Sequence, residues 1–78
     1  MIVKVLGMGC AKCNALEAKV KQVAENNQLE IVLEKVTDYK KIMEYQVLMT
    51  PALVVDGMVK CYGRIPKEEE LLKWLKGE

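Results

Sequence analysis

The chain has 78 residues, 51% of them hydrophobic, which suffices for one small domain and leaves no room for a second. Twelve basic residues nearly balance eleven acidic ones, and neither sign forms a block, so we expect no binding to nucleic acid or to a membrane surface. Three cysteines and no histidine exclude mechanisms that need an imidazole and leave sulfur as the reactive group. We therefore expect a single domain over residues 1–78 whose chemistry is that of thiols.

The first half of the chain predicts a strand, a helix and a second strand. Residues 2–6 alternate in polarity as a strand does, and glycines at positions 7 and 9 end it. From Cys10 to about Asn26 the apolar residues recur with a helical period. Residues 29–36 alternate again, with a charged outer face that suits the edge of a sheet.

The second half predicts a short helix, a hairpin and a final helix. Thr37 or Asp38 can cap a helix that reaches about residue 45, and its buried side would use Tyr39, Ile42 and Met43. Residues 52–55 are apolar throughout, as in a strand covered on both faces.

A two-residue turn and a last helix complete the chain. Asp56-Gly57 predicts a tight turn into a strand over residues 58–62, because both positions of such a turn need positive φ. Pro66 can begin the last helix, where three glutamates at positions 68–70 complement the positive helix end. The order is β-α-β-α-β-β-α, an α/β fold.

Cys10 and Cys13 stand where the first strand passes into the first helix. Residues three apart on a helix are neighbours, so the two sulfurs can form a reversible disulfide. Cys10 would lie at the helix start, where free N–H groups and the helix dipole lower the pKa of a thiol below roughly 8.5. We therefore predict that Cys10 is the attacking nucleophile and Cys13 the resolving thiol.

The chain resembles the small thioredoxin-like, glutaredoxin-sized redox proteins of archaea and anaerobic bacteria. The resemblance rests on Cys10-Ala11-Lys12-Cys13 after a strand, Thr50-Pro51 before an apolar strand, the Asp56-Gly57 turn, and Gly63-Arg64-Ile65-Pro66 before an acidic helix start. It implies a thioredoxin-like fold with a four-stranded mixed sheet and three helices. It also implies a cis Pro51 packed against the cysteine pair, with the backbone at Thr50 binding a substrate segment.

The same residues also fit an alternative. Gly-Met-x-Cys-x-x-Cys, here residues 7–13, is similar to the motif of heavy-metal-associated domains that carry Cu(I) between two thiolates. That ferredoxin-like fold needs a hairpin directly after the first helix, whereas residues 37–45 predict a second helix. Met8 could donate a thioether to Cu(I), but we favour a role in lining an apolar surface that docks peptides.

Cys61 has two interpretations as well. We favour a core thiol on one strand face with Val59, opposite Lys60, since free cysteine is among the most buried residue types. A third redox thiol is the alternative. Structural zinc is disfavoured because three sulfurs lack a fourth ligand.

The function we expect is that of a thiol–disulfide oxidoreductase, with Cys10 and Cys13 catalytic and with Met8, Gly9, Thr50 and Pro51 binding substrate. Its partners would be a disulfide-containing protein substrate and a separate disulfide reductase. We expect a monomer that needs no metal or other cofactor. Since neither a leader nor an apolar span is evident, we expect it in the cytoplasm.

Overall fold

The seven secondary-structure elements follow the predicted order. The structure, a computed structural model, describes residues 1–77. The elements are β1 (Ile2–Leu6), α1 (Ala11–Asn26), β2 (Val32–Val36), α2 (Tyr39–Glu44), β3 (Ala52–Val55), β4 (Met58–Tyr62) and α3 (Glu68–Leu75). Within this range no helix is long and apolar enough to cross a membrane.

The four strands form one mixed sheet in the order β2-β1-β3-β4. Strands β1 and β2 run parallel, joined by α1, whereas β1 with β3 and β3 with β4 run antiparallel. Strand β2 lies on the edge, as its charged outer face predicts. On that face Lys4 is opposite Glu34, with 4.0 Å between Lys4 Nζ and the carboxylate. The α/β fold is therefore confirmed as thioredoxin-like, and α2 stands where a ferredoxin-like fold would place a hairpin strand.

Each face of the sheet has its own apolar core. Helices α1 and α3 cover one face, and α2 with the segment after it covers the other. The central strand β3 is buried along its whole length because helices lie on both of its sides. The main buried side chains of the larger core are Val3, Val5, Leu16, Val20, Val23, Leu53, Val55, Cys61, Leu71 and Leu75.

The turn and the caps show why the elements end where they do. Asp56 and Gly57 have φ values of 48° and 84°, as the predicted hairpin turn requires. Asp38 caps α2 by accepting the N–H of Lys40 at 2.9 Å. The last helix begins at Glu68 with Lys67 as its N-cap, so the prediction that Pro66 begins it is wrong by two residues.

Two predictions about side-chain direction are wrong. Helix α2 has only six residues and buries only Ile42, which leaves Tyr39 61% and Met43 47% exposed. In β4 a bulge shifts the register by one residue, so Cys61 is opposite Leu53 while Val59 is opposite Val54. An extra residue in a bulge reverses which face the next side chain meets. Val59 and Cys61 therefore pack on opposite faces of the sheet.

Candidate redox site

Cys10 is the N-cap of α1. Its backbone is extended, and its Sγ accepts a hydrogen bond from the backbone N–H of Cys13 at 3.1 Å. The carbonyl of Cys10 accepts the first intrahelical bond, from Asn14 N–H at 3.0 Å. Cys10 lies between two small residues, Gly9 and Ala11, and its backbone is extended. Its sulfur is therefore placed at the unpaired N–H groups of the helix start.

The two cysteines form a disulfide, with 5.0 Å between their Cα atoms. They differ sharply in access, since Cys10 is exposed whereas Cys13 is only 2% exposed. A large partner can therefore reach the sulfur of Cys10 and not that of Cys13. The predicted pairing is present in the structure, while the separate roles of the two thiols stay a prediction.

Gly7 holds the end of β1 against the buried sulfur. Its N–H donates to Val36 O at 3.0 Å, and a Cβ at this position would overlap Cys13 Sγ and lie 3.1 Å from Cys13 Cβ. The same Cβ would be 4.0 Å from Cβ of Thr50, so Gly7 lies between the cysteine pair and the segment before β3. The sequence predicted Gly7 as a strand end and as the first position of the Gly-Met-x-Cys-x-x-Cys motif, with no contact to Cys13. A glycine at a strand end beside a cysteine pair does signal a close approach of backbone to another group.

The segment before β3 supplies Thr50 and Pro51. Their peptide bond is cis, Pro51 is fully buried and Thr50 is exposed. Pro51 O accepts a 2.7 Å hydrogen bond from the N–H of Gly63, whose backbone has a φ of +74° and packs against Met49. This segment is thus held between Gly7 on one side and the loop after β4 on the other.

Met8 and Gly9 form the loop that leads into Cys10. Met8 is 67% exposed. Gly9 has a φ of +83°, a backbone conformation that costs a residue with a Cβ about 1–2 kcal/mol. Met8 and Thr50 line one cavity together with residues of α2 and of the segment after it. The structure therefore brings Met8, Gly9 and Thr50 to the same end of the molecule as Cys10, and their contact with substrate stays a prediction.

Cys61 lies in the core shared by α1, α3 and the sheet. It is free, 7% exposed, and opposite Leu53 in β3. Burial raises the pKa of its thiol, which disfavours the thiolate needed for attack. These observations favour the core-thiol interpretation over a third redox thiol.

Lys12 is the charged residue between the two cysteines in sequence. Among residues 1–77 no polar or charged side chain is buried, and no cluster of three or more cysteine or carboxylate side chains is arranged to hold a metal ion. The first turn of α1 contains no acidic residue. Stabilisation of a thiolate at Cys10 by the helix end and its N–H groups stays a prediction.

The chain is similar to known proteins along nearly its whole length. Residues 1–76 match the family model described as a thioredoxin domain. A protein named thioredoxin from Methanocaldococcus jannaschii is 34% identical over 76 residues, which cover 97% of this chain and 87% of that protein. Another protein named thioredoxin, from Methanothermobacter thermautotrophicus, is 32% identical over 75 residues, covering 96% of this chain and 97% of the relative. With the Cys10–Cys13 disulfide, these matches show that the chain belongs to the thioredoxin family and is a thiol–disulfide oxidoreductase.

Proposed function

We propose that this protein reduces protein disulfides, with Cys10 as the attacking nucleophile and Cys13 as the resolving thiol. The observation that supports these roles is the difference between the two sulfurs. Cys10 is exposed at the N-cap of α1, whereas Cys13 is buried one turn inside the helix and donates its N–H to the Cys10 sulfur. The exposed sulfur meets the substrate, and the buried one acts only within the chain.

The reaction has two exchange steps that balance in electrons. The Cys10 thiolate attacks one sulfur of the substrate disulfide, forms a mixed disulfide and expels the other substrate sulfur as a thiolate. Cys13 then loses its proton, attacks Cys10 Sγ and releases the second substrate thiolate. The substrate disulfide gains two electrons and two protons, and the Cys10–Cys13 dithiol becomes the disulfide seen in the structure.

The helix start stabilises the charge that the first step needs. The N–H of Cys13, which donates to Cys10 Sγ at 3.1 Å, would donate to a thiolate in the reduced form. A hydrogen bond to an anion is stronger than one to a neutral acceptor, and the dipole of the 16-residue helix α1 adds to it. Each unit by which the pKa of Cys10 falls is worth about 1.4 kcal/mol in favour of the thiolate.

The substrate segment is proposed to contact Met8, Gly9, Thr50 and Pro51. Exposed Met8 and Gly9, which has a positive φ, directly precede Cys10, and exposed Thr50 lies across Gly7 from Cys13. Pro51 contributes by fixing the backbone at Thr50. These positions favour an extended polypeptide lying across the cysteine pair.

The proposed partners follow from the chemistry. A disulfide-containing protein supplies the oxidising disulfide, and a separate disulfide reductase returns two electrons after each cycle. We propose that the chain acts as a single domain over residues 1–78, as a monomer in the cytoplasm, without metal or other cofactor. A net charge of +1 with interspersed signs supports a function that does not involve nucleic acid or membrane.

The test is reduction of a disulfide-bonded protein with dithiothreitol as electron donor. Cys10→Ser should abolish catalysis because the nucleophile is lost. Cys13→Ser that has been reduced beforehand and freed of dithiothreitol should stop after one turnover with the substrate attached. Cys61→Ala is the matched control and should keep the wild-type rate. Catalysis that survives in Cys10→Ser would contradict the mechanism.

A further inference from the structure

The loop between β4 and α3, residues 63–67, holds the segment that precedes β3. The N–H of Gly63 donates to the carbonyl of Pro51 at 2.7 Å. A Cβ on Gly63 would lie 3.1 Å from Cβ of Met49, so this glycine also packs closely against the same segment. The position of Pro51, and of Thr50 before it, therefore depends on where the β4–α3 loop is held.

An ion pair attaches this loop to α3. Nη1 and Nη2 of Arg64 donate to the two carboxylate oxygens of Glu70, each at 2.9 Å. The same carboxylate accepts the backbone N–H of Lys67 at 3.1 Å, so one side chain contacts the loop near both of its ends. Two parallel bonds from a planar guanidinium fix direction as well as distance. The carboxylate of Glu70 thus restrains the residue next to Gly63.

A second contact attaches the loop to the helix that begins at the cysteine pair. Nζ of Lys19, in α1, donates to the carbonyl of Pro66 at 2.6 Å. A hydrogen bond from an ammonium group is stronger than one between neutral groups. The loop is therefore restrained from α3 and from α1, and it transmits both restraints to Pro51.

The exposure of the ion pair separates its effect on position from its effect on stability. The side chains of Arg64 and Glu70 are 51% and 35% exposed. Ion pairs in contact with water stabilise a fold only modestly. Reaction rates are more sensitive, because a substrate held slightly out of place loses much of its rate. A bidentate pair at this loop therefore matters most for where the attached backbone lies.

We propose that Arg64 and Glu70 are positioning residues that hold the backbone of residues 50–51 in place for polypeptide substrates. The link is the N–H of Gly63, which follows the position of Arg64. The proposal rests on the proposed function, since it requires a substrate segment that lies along residues 50–51. A small disulfide without a peptide backbone needs no such segment and should react with Cys10 whether or not the loop is restrained.

The test compares two uncharged substrates in single turnovers of protein that has been reduced and freed of reductant. One is a disulfide-bonded peptide with a fluorophore and a quencher on its two chains, and the other is dipyridyl disulfide, which releases a coloured thione. Arg64→Met and Glu70→Gln should each lower the rate constant for the peptide about threefold, the size expected when one exposed ion pair is lost. The rate constant for dipyridyl disulfide should not change. Because the two variants change the net charge in opposite directions, an equal effect also excludes long-range attraction as its cause.

A double variant tests whether the two residues act as a pair. Arg64→Met with Glu70→Gln should also lose about threefold, because the second change removes a contact already broken. A loss of about ninefold would mean that the two side chains act separately, and it would overturn the pairing. Hydrogen exchange of the Gly63 amide, followed by NMR, should be at least about threefold faster in both single variants, since local opening controls it.

Lys21→Met is the matched control. Lys21 forms an ion pair of 3.3 Å with Glu17, and both residues belong to α1, so its loss does not touch the loop. This variant should keep the wild-type rate constants for both substrates and the wild-type exchange of Gly63.

Three outcomes would contradict the positioning role. Equal losses for the peptide and for dipyridyl disulfide would show a general effect on the cysteine pair and leave the proposed function intact. A wild-type rate for the peptide in Arg64→Met and Glu70→Gln, with reduction still dependent on Cys10, would do the same. If the folded wild type does not reduce the peptide at all, the proposed function fails and the positioning role fails with it.

Discussion

Replacing Gly7 by alanine should disturb both stability and the second exchange step. The added Cβ would overlap Cys13 Sγ and lie 3.1 Å from Cys13 Cβ, in a place where Gly7 and Cys13 are both buried. The backbone of Gly7 is held by Val36 O, and Cys13 is fixed in α1, so neither can withdraw freely. Overpacking of this kind costs about 1–3 kcal/mol.

That cost is measurable in a chain of this size. A loss of 1 kcal/mol lowers the Tm of a domain of 60–100 residues by about 4–8 °C. Trp74, the single tryptophan, packs against the larger core and reports unfolding by its fluorescence. The Tm of Gly7→Ala should therefore fall by at least about 4 °C.

The kinetic effect separates this clash from a general loss of stability. Displacement of Cys13 Sγ should slow its attack on a mixed disulfide at Cys10 by tenfold or more, since a misplacement of about 1 Å can cost on the order of a hundredfold. Stopped-flow release of a chromophoric thiol from that mixed disulfide measures the step. Gly57→Ala is the control: it strains a positive φ in the hairpin, with no atom within 4 Å of its added Cβ. The Gly57→Ala protein should lose stability without slowing release of the chromophoric thiol. A Gly7→Ala protein with the wild-type Tm and the wild-type rate of thiol release would refute the reasoning.

Two further predictions concern Glu70 and Cys61. The guanidinium of Arg64 donates two hydrogen bonds of 2.9 Å to the carboxylate of Glu70 and lowers its pKa from 4.5 to about 2. This pair therefore stabilises the fold above pH 4.5, and its contribution disappears as the pH falls towards 2. Urea midpoints measured from pH 7 to 2 should thus fall less steeply in Glu70→Gln than in the wild type, and parallel curves would contradict this role. The buried Cys61 thiol should not react with a thiol reagent in the folded, oxidised protein but should titrate as one thiol in urea, and full reaction before unfolding would show that it is accessible. Cys61→Ala should lower the free energy of unfolding by about 1 kcal/mol through the cavity it leaves.

The order of elements and the cysteine site were predictable because they depend on local signals. Helical spacing of apolar residues located α1, and the Asp56-Gly57 pair located the hairpin, since few other dipeptides accept positive φ twice. The alternation of charged and apolar residues along β2 predicted that this strand lies at the edge of the sheet. Each of these features is decided within about 15 residues of chain.

The wrong predictions concern features that depend on tertiary structure. Tyr39 and Met43 lie on the apolar side of α2, but this helix is too short to press both of them against the sheet. Sequence periodicity shows which side of a helix is apolar and not whether another element covers it. As a result, these two residues, predicted to be in the core, line a cavity together with Met8 and Thr50.

The bulge in β4 and the role of Gly7 could not be predicted from the sequence for a similar reason. A bulge depends on the register between two strands, and no residue in the run Met58–Tyr62 marks it. Gly7 is needed because Cys13, six positions later, returns against it, which the linear spacing does not reveal. Both features arise from the approach of two segments.

The central claim is that Cys10 attacks the substrate and that Cys13 resolves the intermediate. The most direct measurement is mass spectrometry of the mixed disulfide that the Cys13→Ser variant forms with a disulfide-bonded protein in a single turnover. We predict one substrate chain attached to the tryptic peptide that contains Cys10, and none on the peptide that contains Cys61. Attachment at Cys61, or no attachment while Cys10→Ser still reduces the substrate, would contradict the mechanism.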